Sequence, residues 1–401
     1  MTTAEAVTPH PAVAQSAPID RTAGLTWPLY AVVLSSAAIV IGLLWDISWH
    51  STIGRDTFWT APHLLEQLGA IVAGSSCGWL VLRTTFAGTP EQRAESVRFW
   101  GFRGPLGAWV TIWGTFVMIT SAPFDNWWHN AYGLDVKIVS PPHMVLALGM
   151  ISIELGAMLM VLAAQNRATD PADIRKLGWA YAIAGGVLVT MVATLISEYA
   201  SRPNHMHSPR FYQVAAGAFP IFLVAFARAG RLRLPATTAA AAYMAIMLAM
   251  IWILQLFPAQ PRLAPIYFAV THMVPPSFPL LLVVPALGID LLLRRTGRRH
   301  DWLLAIGLGV AFVAVLLSVQ WFFSQFLLSP AARNFVFAAD QWAYLAQVGE
   351  WRYRYWRLPK DALGNFDPLG FARGLGFAGL IGIVSARIGL WWGNGMSRVM
   401  R

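Results

Sequence analysis

Two short stretches carry a carboxylate and two imidazoles at spacings that let them act together. The first runs Trp45-Asp46-Ile47-Ser48-Trp49-His50 and, after twelve intervening residues and just after Pro62, reaches His63. The second runs Asp125-Asn126-Trp127-Trp128-His129 and, after thirteen intervening residues and just after Pro141-Pro142, reaches His143. On a helix, positions four apart lie on one face, so Asp46 with His50, and Asp125 with His129, can converge on one point. A proline favours a turn just ahead of a new helix, which puts His63 and His143 in the first turn of the returning segment. A hairpin would then bring two imidazoles and one carboxylate together. Nitrogen and oxygen donors without thiolate suit Cu(II), Zn, Fe or Ni, with room left for water or substrate. The alternative is a set of interfacial polar residues in which Asp and His form plain ion pairs. Repetition of the same order at nearly the same spacing favours the ligand set.

Other residues form an outer circle of candidates. Asp56 and Asp135 each follow the first His of their stretch by six positions. They would either orient a ligand imidazole or cap a helix in the loop. Glu198, His205 and His207 make a weaker third group. In an extended segment His205 and His207 would point the same way, while a solvated loop is the plainer alternative. His272, ahead of Pro275-Pro276, reads as a buried structural histidine. Cys77, the single cysteine, lies in an apolar run and reads as a packing residue, which leaves neither a disulfide framework nor a thiolate site.

The elements that must position these residues are legible in composition. Of the 401 residues, 57% are hydrophobic and 12% charged, against about 25% charged in a soluble domain. Mean hydropathy is +0.54. The expected fold class is all-α, a polytopic helical bundle with about ten spans, near 27–45, 63–83, 105–123, 143–164, 178–197, 211–229, 238–257, 267–293, 302–323 and 371–393. The eighth is interrupted by Pro275-Pro276, so it is either kinked or a re-entrant piece followed by a span.

The net charge of +10 does not point to nucleic acid, because arginines of membrane proteins gather in cytoplasmic loops. Here they fall in alternate connections: Arg83 to Arg103, Arg167 to Lys176, Arg228 to Arg233, Arg294 to Arg299, and the C-terminus. That places both termini in the cytoplasm and both Asp/His loops on the outer side, as expected for a bacterial inner-membrane protein. Residues 1–25 read as a disordered cytoplasmic tail with no signal-peptide pattern. Residues 26–165 hold the two metal-site hairpins, and 166–401 hold further spans. The long outer connection 324–370, with Trp342, Trp351 and Trp356, reads as an interfacial cap.

At the two hairpins the chain resembles the C subunit of the copper membrane monooxygenases, the particulate methane and ammonia monooxygenases. Trp49-His50, Arg55-Asp56-Thr57 and Thr60-Ala61-Pro62-His63 are similar to that subunit's Asp-x3-His-x12-His copper stretch. His129 and His143 match the spacing of its neighbouring Asn-x3-His-x13-His site, with Asp125 standing where the family has Asn. The resemblance covers roughly residues 30–165. It implies copper, with zinc or iron as alternatives, held by Asp46, His50 and His63 and by Asp125, His129 and His143. It further implies oxidation of a small apolar substrate by O2 at the outer face, a membrane quinol as electron donor, and partner subunits or a homo-oligomer. A non-enzymatic membrane protein that binds, delivers or transports copper or another divalent metal is the rival class, so whether the chain is an enzyme stays open at this point.

Overall fold

The computed structural model describes residues 26–54, 59–133, 140–200, 203–263, 269–296, 301–339 and 358–401. The tail, Asp56, Asp135 and the three tryptophans of the interfacial connection lie outside them. The fold is a polytopic helical bundle, in which nine helices among the described residues are long and apolar enough to cross a membrane.

The N-terminal part is two helical hairpins of matching dimensions. Helices α1 (Thr26–Thr52) and α2 (Ala61–Ala87) form the first, and α4 (Leu106–Tyr132) and α5 (Pro141–Arg167) the second. Each of the four has 27 residues. At 1.5 Å rise per residue such a helix runs about 40 Å, longer than the ~30 Å hydrocarbon core, so its ends reach the headgroup zone. A short helix α3 (Pro90–Ala94) and a two-stranded hairpin, β1 (Val97–Phe99) with β2 (Phe102–Gly104), join the two at the opposite end. The connectivity therefore returns both Asp/His turns to one end of the bundle. Helix α2 packs on α4, and α1 on α5.

Inside the second hairpin, small residues let the backbones touch. A Cβ at Gly149 would lie 2.6 Å from the Met118 backbone nitrogen, and one at Gly114 would lie 2.8 Å from the Ile153 nitrogen. With no hydrophobic driving force between helices in lipid, such close packing is what holds them. Gly149→Val is expected to destabilise the protein by about 1–3 kcal/mol through overpacking, read as a lower thermal midpoint in detergent. An unchanged midpoint would mean that the seam is loose.

The C-terminal part comprises α6 (Pro171–Leu195), short α7 (Ser197–Ala200), α8 (Pro209–Ala229), α9 (Pro235–Leu254), α10 (Val283–Thr296), α11 (Asp301–Leu327) and α12 (Pro368–Met396). At the arginine-bearing end, Arg228 Nη2 lies 3.2 Å from Asp301 Oδ1, Arg228 Nε donates to Asn394 Oδ1, and Asn394 Nδ2 donates to Asp301 Oδ2, joining α8, α11 and α12.

The expected eighth span differs from a continuous helix. Residues 269–282 are not helical, and α10 has 14 residues, about 21 Å, too short to cross alone. Pro275, Pro276 and Pro279 remove amide donors and clash with helical turns. Non-helical backbone at membrane depth survives only when protein satisfies it, and here it does. Val274 N donates to Thr52 Oγ1, Leu280 N to Tyr243 Oη and Leu281 N to Gln320 Oε1. Asp290 of α10 accepts from the Ala236 and Thr237 nitrogens at the start of α9. The stretch thus passes from the end of α1 to the beginning of α9 as one discontinuous crossing, half extended and half helical.

Candidate metal centre

Helix α1 continues through the Asp/His stretch to Thr52, so Asp46 and His50 stack one turn apart on its last turns. The chain returns over 53–60, and α2 begins with Ala61-Pro62-His63 behind its N-cap residue Thr60. In the second hairpin α4 carries Asp125 and His129 to its end at Tyr132, and the return covers 133–140. Helix α5 begins Pro141-Pro142-His143, where the Ser140 hydroxyl accepts from the His143 backbone nitrogen. The two connections have equal length, and each second His occupies the third helical position.

In the first hairpin, Asp46 Oδ1 lies 3.3 Å from His50 Nε2 and 3.1 Å from His63 Nε2. One donor atom from each of the three residues falls within 4.8 Å of the others. Donors bound at about 2.0–2.1 Å to a tetrahedral ion stand roughly 3.4 Å apart, so the observed separations fit an ion at the centre. They are longer than the ~2.7–2.9 Å of a good charge-assisted hydrogen bond. Asp46 Oδ1 and His50 Nε2 are shielded from solvent and form no well-aligned hydrogen bond. Asp46 is the most buried of the three side chains, at 18% exposure. Trp45 and Trp49 pack edge to face on the same turns.

In the second hairpin, Asp125 Oδ2 lies 3.4 Å from His129 Nε2, and Asp125 Oδ1 lies 3.6 Å from His143 Nε2. Here the carboxylate uses a different oxygen for each imidazole, and the three residues do not reach the convergence of the first set. His129 Nδ1 sits 3.1 Å from the carbonyl of Gly133, the residue that ends α4 with φ of 84°. A carbonyl on Nδ1 fixes the tautomer and leaves Nε2 to face Asp125. Asp125 is 35% exposed, so this set is wetter than the first. Trp127, Trp128, Phe124 and Tyr132 cluster around it.

The remaining candidates are placed elsewhere. His205 and His207 follow α7, and among the described residues they join no third cluster of donors. The Glu198 side chain lies outside the description, as do Asp56 and Asp135. His207 is fully buried, its ring 4.4 Å from that of Trp321 and its Nε2 3.3 Å from Ser324 Oγ. Burial pushes its imidazole down to about 4 from an ordinary 6.5. Between those two values the unfolded chain binds a proton that the folded chain refuses, so His207 lowers stability progressively as pH falls through that window. Thermal midpoints of wild type and His207→Gln at pH 7 and pH 5 check this. The wild type should lose more on acidification, whereas equal losses would contradict a buried neutral imidazole. His272, expected to be buried, is exposed instead and is 3.0 Å from Thr271 Oγ1, because its strand-like bridge to Pro258 turns it outward.

Two buried acids escape the spacing argument. Glu66 on α2 is 2% exposed and Glu154 on α5 is 1% exposed. Neither belongs to an Asp/His pattern. The signal that could find them is an acid inside an apolar run of membrane length, which is costly and therefore rarely incidental. The C-terminal half also reaches the first set: the amides of Arg262 and Leu263 donate to the Ile53 carbonyl, and Val274 N to Thr52 Oγ1, so the discontinuous crossing and the turn before it clamp α1 just beyond His50.

No family model, no curated protein and no solved structure matches the chain.

Proposed function

We propose that the chain is a membrane copper protein of the oxygen-activating monooxygenase type, complete in itself or as one subunit, which hydroxylates a small apolar substrate at the Asp/His end of the bundle. The observation that carries this reading is the convergence of Asp46, His50 and His63 at a hairpin end, with a second hairpin presenting Asp125, His129 and His143 in the same order. The motif resemblance to the copper membrane monooxygenases supports copper over zinc or iron, and the arginine pattern supports an Asp/His end on the outer side of a bacterial inner membrane.

Copper bound in these sets would supply dioxygen binding and one-electron redox chemistry. The chain's own residues do the rest. Asp46 lies between two imidazoles and holds them at one point. The Gly133 carbonyl keeps the His129 ring turned toward Asp125. The aromatic groups around both sets, Trp45 and Trp49 in one and Phe124, Trp127 and Trp128 in the other, limit water and offer an apolar approach from the bilayer. The overall reaction replaces one C–H bond of the substrate by C–O–H and releases the second oxygen atom as water. A membrane quinol would provide the two electrons and two protons and leave as the quinone.

The test is oxygen uptake by the copper-loaded protein in lipid, with a quinol and short-chain hydrocarbons. Uptake coupled to alcohol formation supports the enzyme. Tight, reversible copper binding without turnover, in the presence of any partner subunits that co-purify, overturns it in favour of a carrier.

A further inference from the structure

The first Asp/His set has a neighbour that the second lacks. Glu66 stands three residues after His63, on the same face of α2, one turn deeper into the membrane. Its side chain lies against Gly42, which is four residues before Asp46 on the facing helix. A Cβ at Gly42 would come within 2.6 Å of Glu66 Cγ and 3.2 Å of the Pro62 carbonyl. Glycine at 42 is thus the space that Glu66 fills, directly beneath Asp46. The carboxyl is buried, its Oε1 makes no hydrogen bond, and it is close enough to interact electrostatically with both Asp46 and His63.

A buried carboxyl without a partner costs free energy, and two carboxylates stacked in a low-dielectric bundle repel each other. A cation between them removes both penalties. With two neutral imidazoles and two carboxylates, a divalent ion forms a set of zero net charge, the least costly form in which to hold it out of water. The Glu66 oxygens stand outside the converged trio, more than 4.8 Å from at least one of its donor atoms. We propose that a bound cation draws this carboxylate in as the fourth protein donor of the first metal centre, making that centre a closed two-His, two-carboxylate site for a divalent cation.

The second hairpin supports the assignment by contrast. The position three after His143 is Leu146, and the position four before Asp125 is Ser121, whose hydroxyl is engaged by its own helix at the Met118 carbonyl. Among the described residues the second set therefore ends at three donors. Structural metal sites are closed by four protein ligands, while reactive ones keep a position open. The first centre is then the tight, holding site, and the second is the one that leaves room for an exogenous ligand.

This inference rests on the metal reading above, and the experiment separates the two. The full chain, carrying His129→Ala and His143→Ala to silence the second set, is titrated with Cu(II) and with Co(II) against a competing chelator. Cu(II) paramagnetic resonance and Co(II) visible absorption report the ligand set. Glu66→Met keeps an unbranched side chain of similar length without the carboxyl, and Glu66→Gln serves if the first variant does not fold. The expected result is at least about tenfold weaker binding of both ions, altered spectra, and an apo midpoint no lower than that of the parent. Unchanged affinity and spectra in Glu66→Met or Glu66→Gln, with binding abolished by His50→Ala, would overturn the role of Glu66 alone. No binding by the parent itself would overturn the metal reading and this inference with it.

Discussion

Asp46→Asn is expected to lower copper affinity at the first hairpin by at least about 100-fold, more than the ~10–100-fold typical of residues that merely support a ligand. The reason lies in the geometry. Asp46 Oδ1 is the shared contact of His50 and His63, at 3.3 and 3.1 Å. Asparagine preserves volume but removes the charge that draws a cation into a half-buried place. It also puts an amide beside two imidazoles, where its N–H2 competes as a donor. Equilibrium competition with a chelator, in protein whose second set is silenced, measures the loss. A change below a few-fold would mean that the carboxylate is only an ion-pair partner of the two histidines.

His129→Ala should empty the second hairpin while leaving the first intact. It removes an imidazole whose orientation is fixed by a backbone carbonyl, and it leaves Asp125 and His143 as two donors 3.6 Å apart. Two donors at a partly exposed place do not hold an ion against water. Asp125→Asn is the milder change: both imidazoles stay, the positive character rises, and affinity falls by a smaller factor than in His129→Ala. Because the two sets occupy different hairpins, the losses in His50→Ala and His129→Ala should add. Non-additive losses would instead show one shared site. Copper bound per chain, measured for each single and double variant, decides between them.

Much of this arrangement is legible in the sequence because it depends on local rules. The i, i+4 spacing needs only that α1 and α4 continue past the apolar core, and both do, to Thr52 and Tyr132. Pro62 and Pro141-Pro142 mark the returning helices to within a residue or two. The eight residues between the helices of each hairpin then bring the second His back beside the Asp/His turn.

What stays hidden depends on partners far apart in the chain. Pro275-Pro276 announces a break, but the choice between a kink and an extended half-crossing is made by Thr52, Tyr243 and Gln320, which come from three other helices. Glu66 is silent for the same reason. Its meaning comes from Gly42 across the hairpin, and a glycine in an apolar run carries no such message by itself. The difference between the two sets is likewise a matter of tertiary contact. Nearly identical motifs yield one converged group, in which a single carboxylate oxygen faces both imidazoles, and one spread group, in which two oxygens divide the work.

The expected affinity losses all depend on metal binding at these two hairpin ends. Metal analysis of the purified full chain after copper loading and removal of loosely bound ions, for wild type, His50→Ala and His129→Ala, measures that binding. Wild type should retain copper, and each variant should lose the share belonging to its own hairpin. Equal, near-zero copper in all three proteins would contradict that binding.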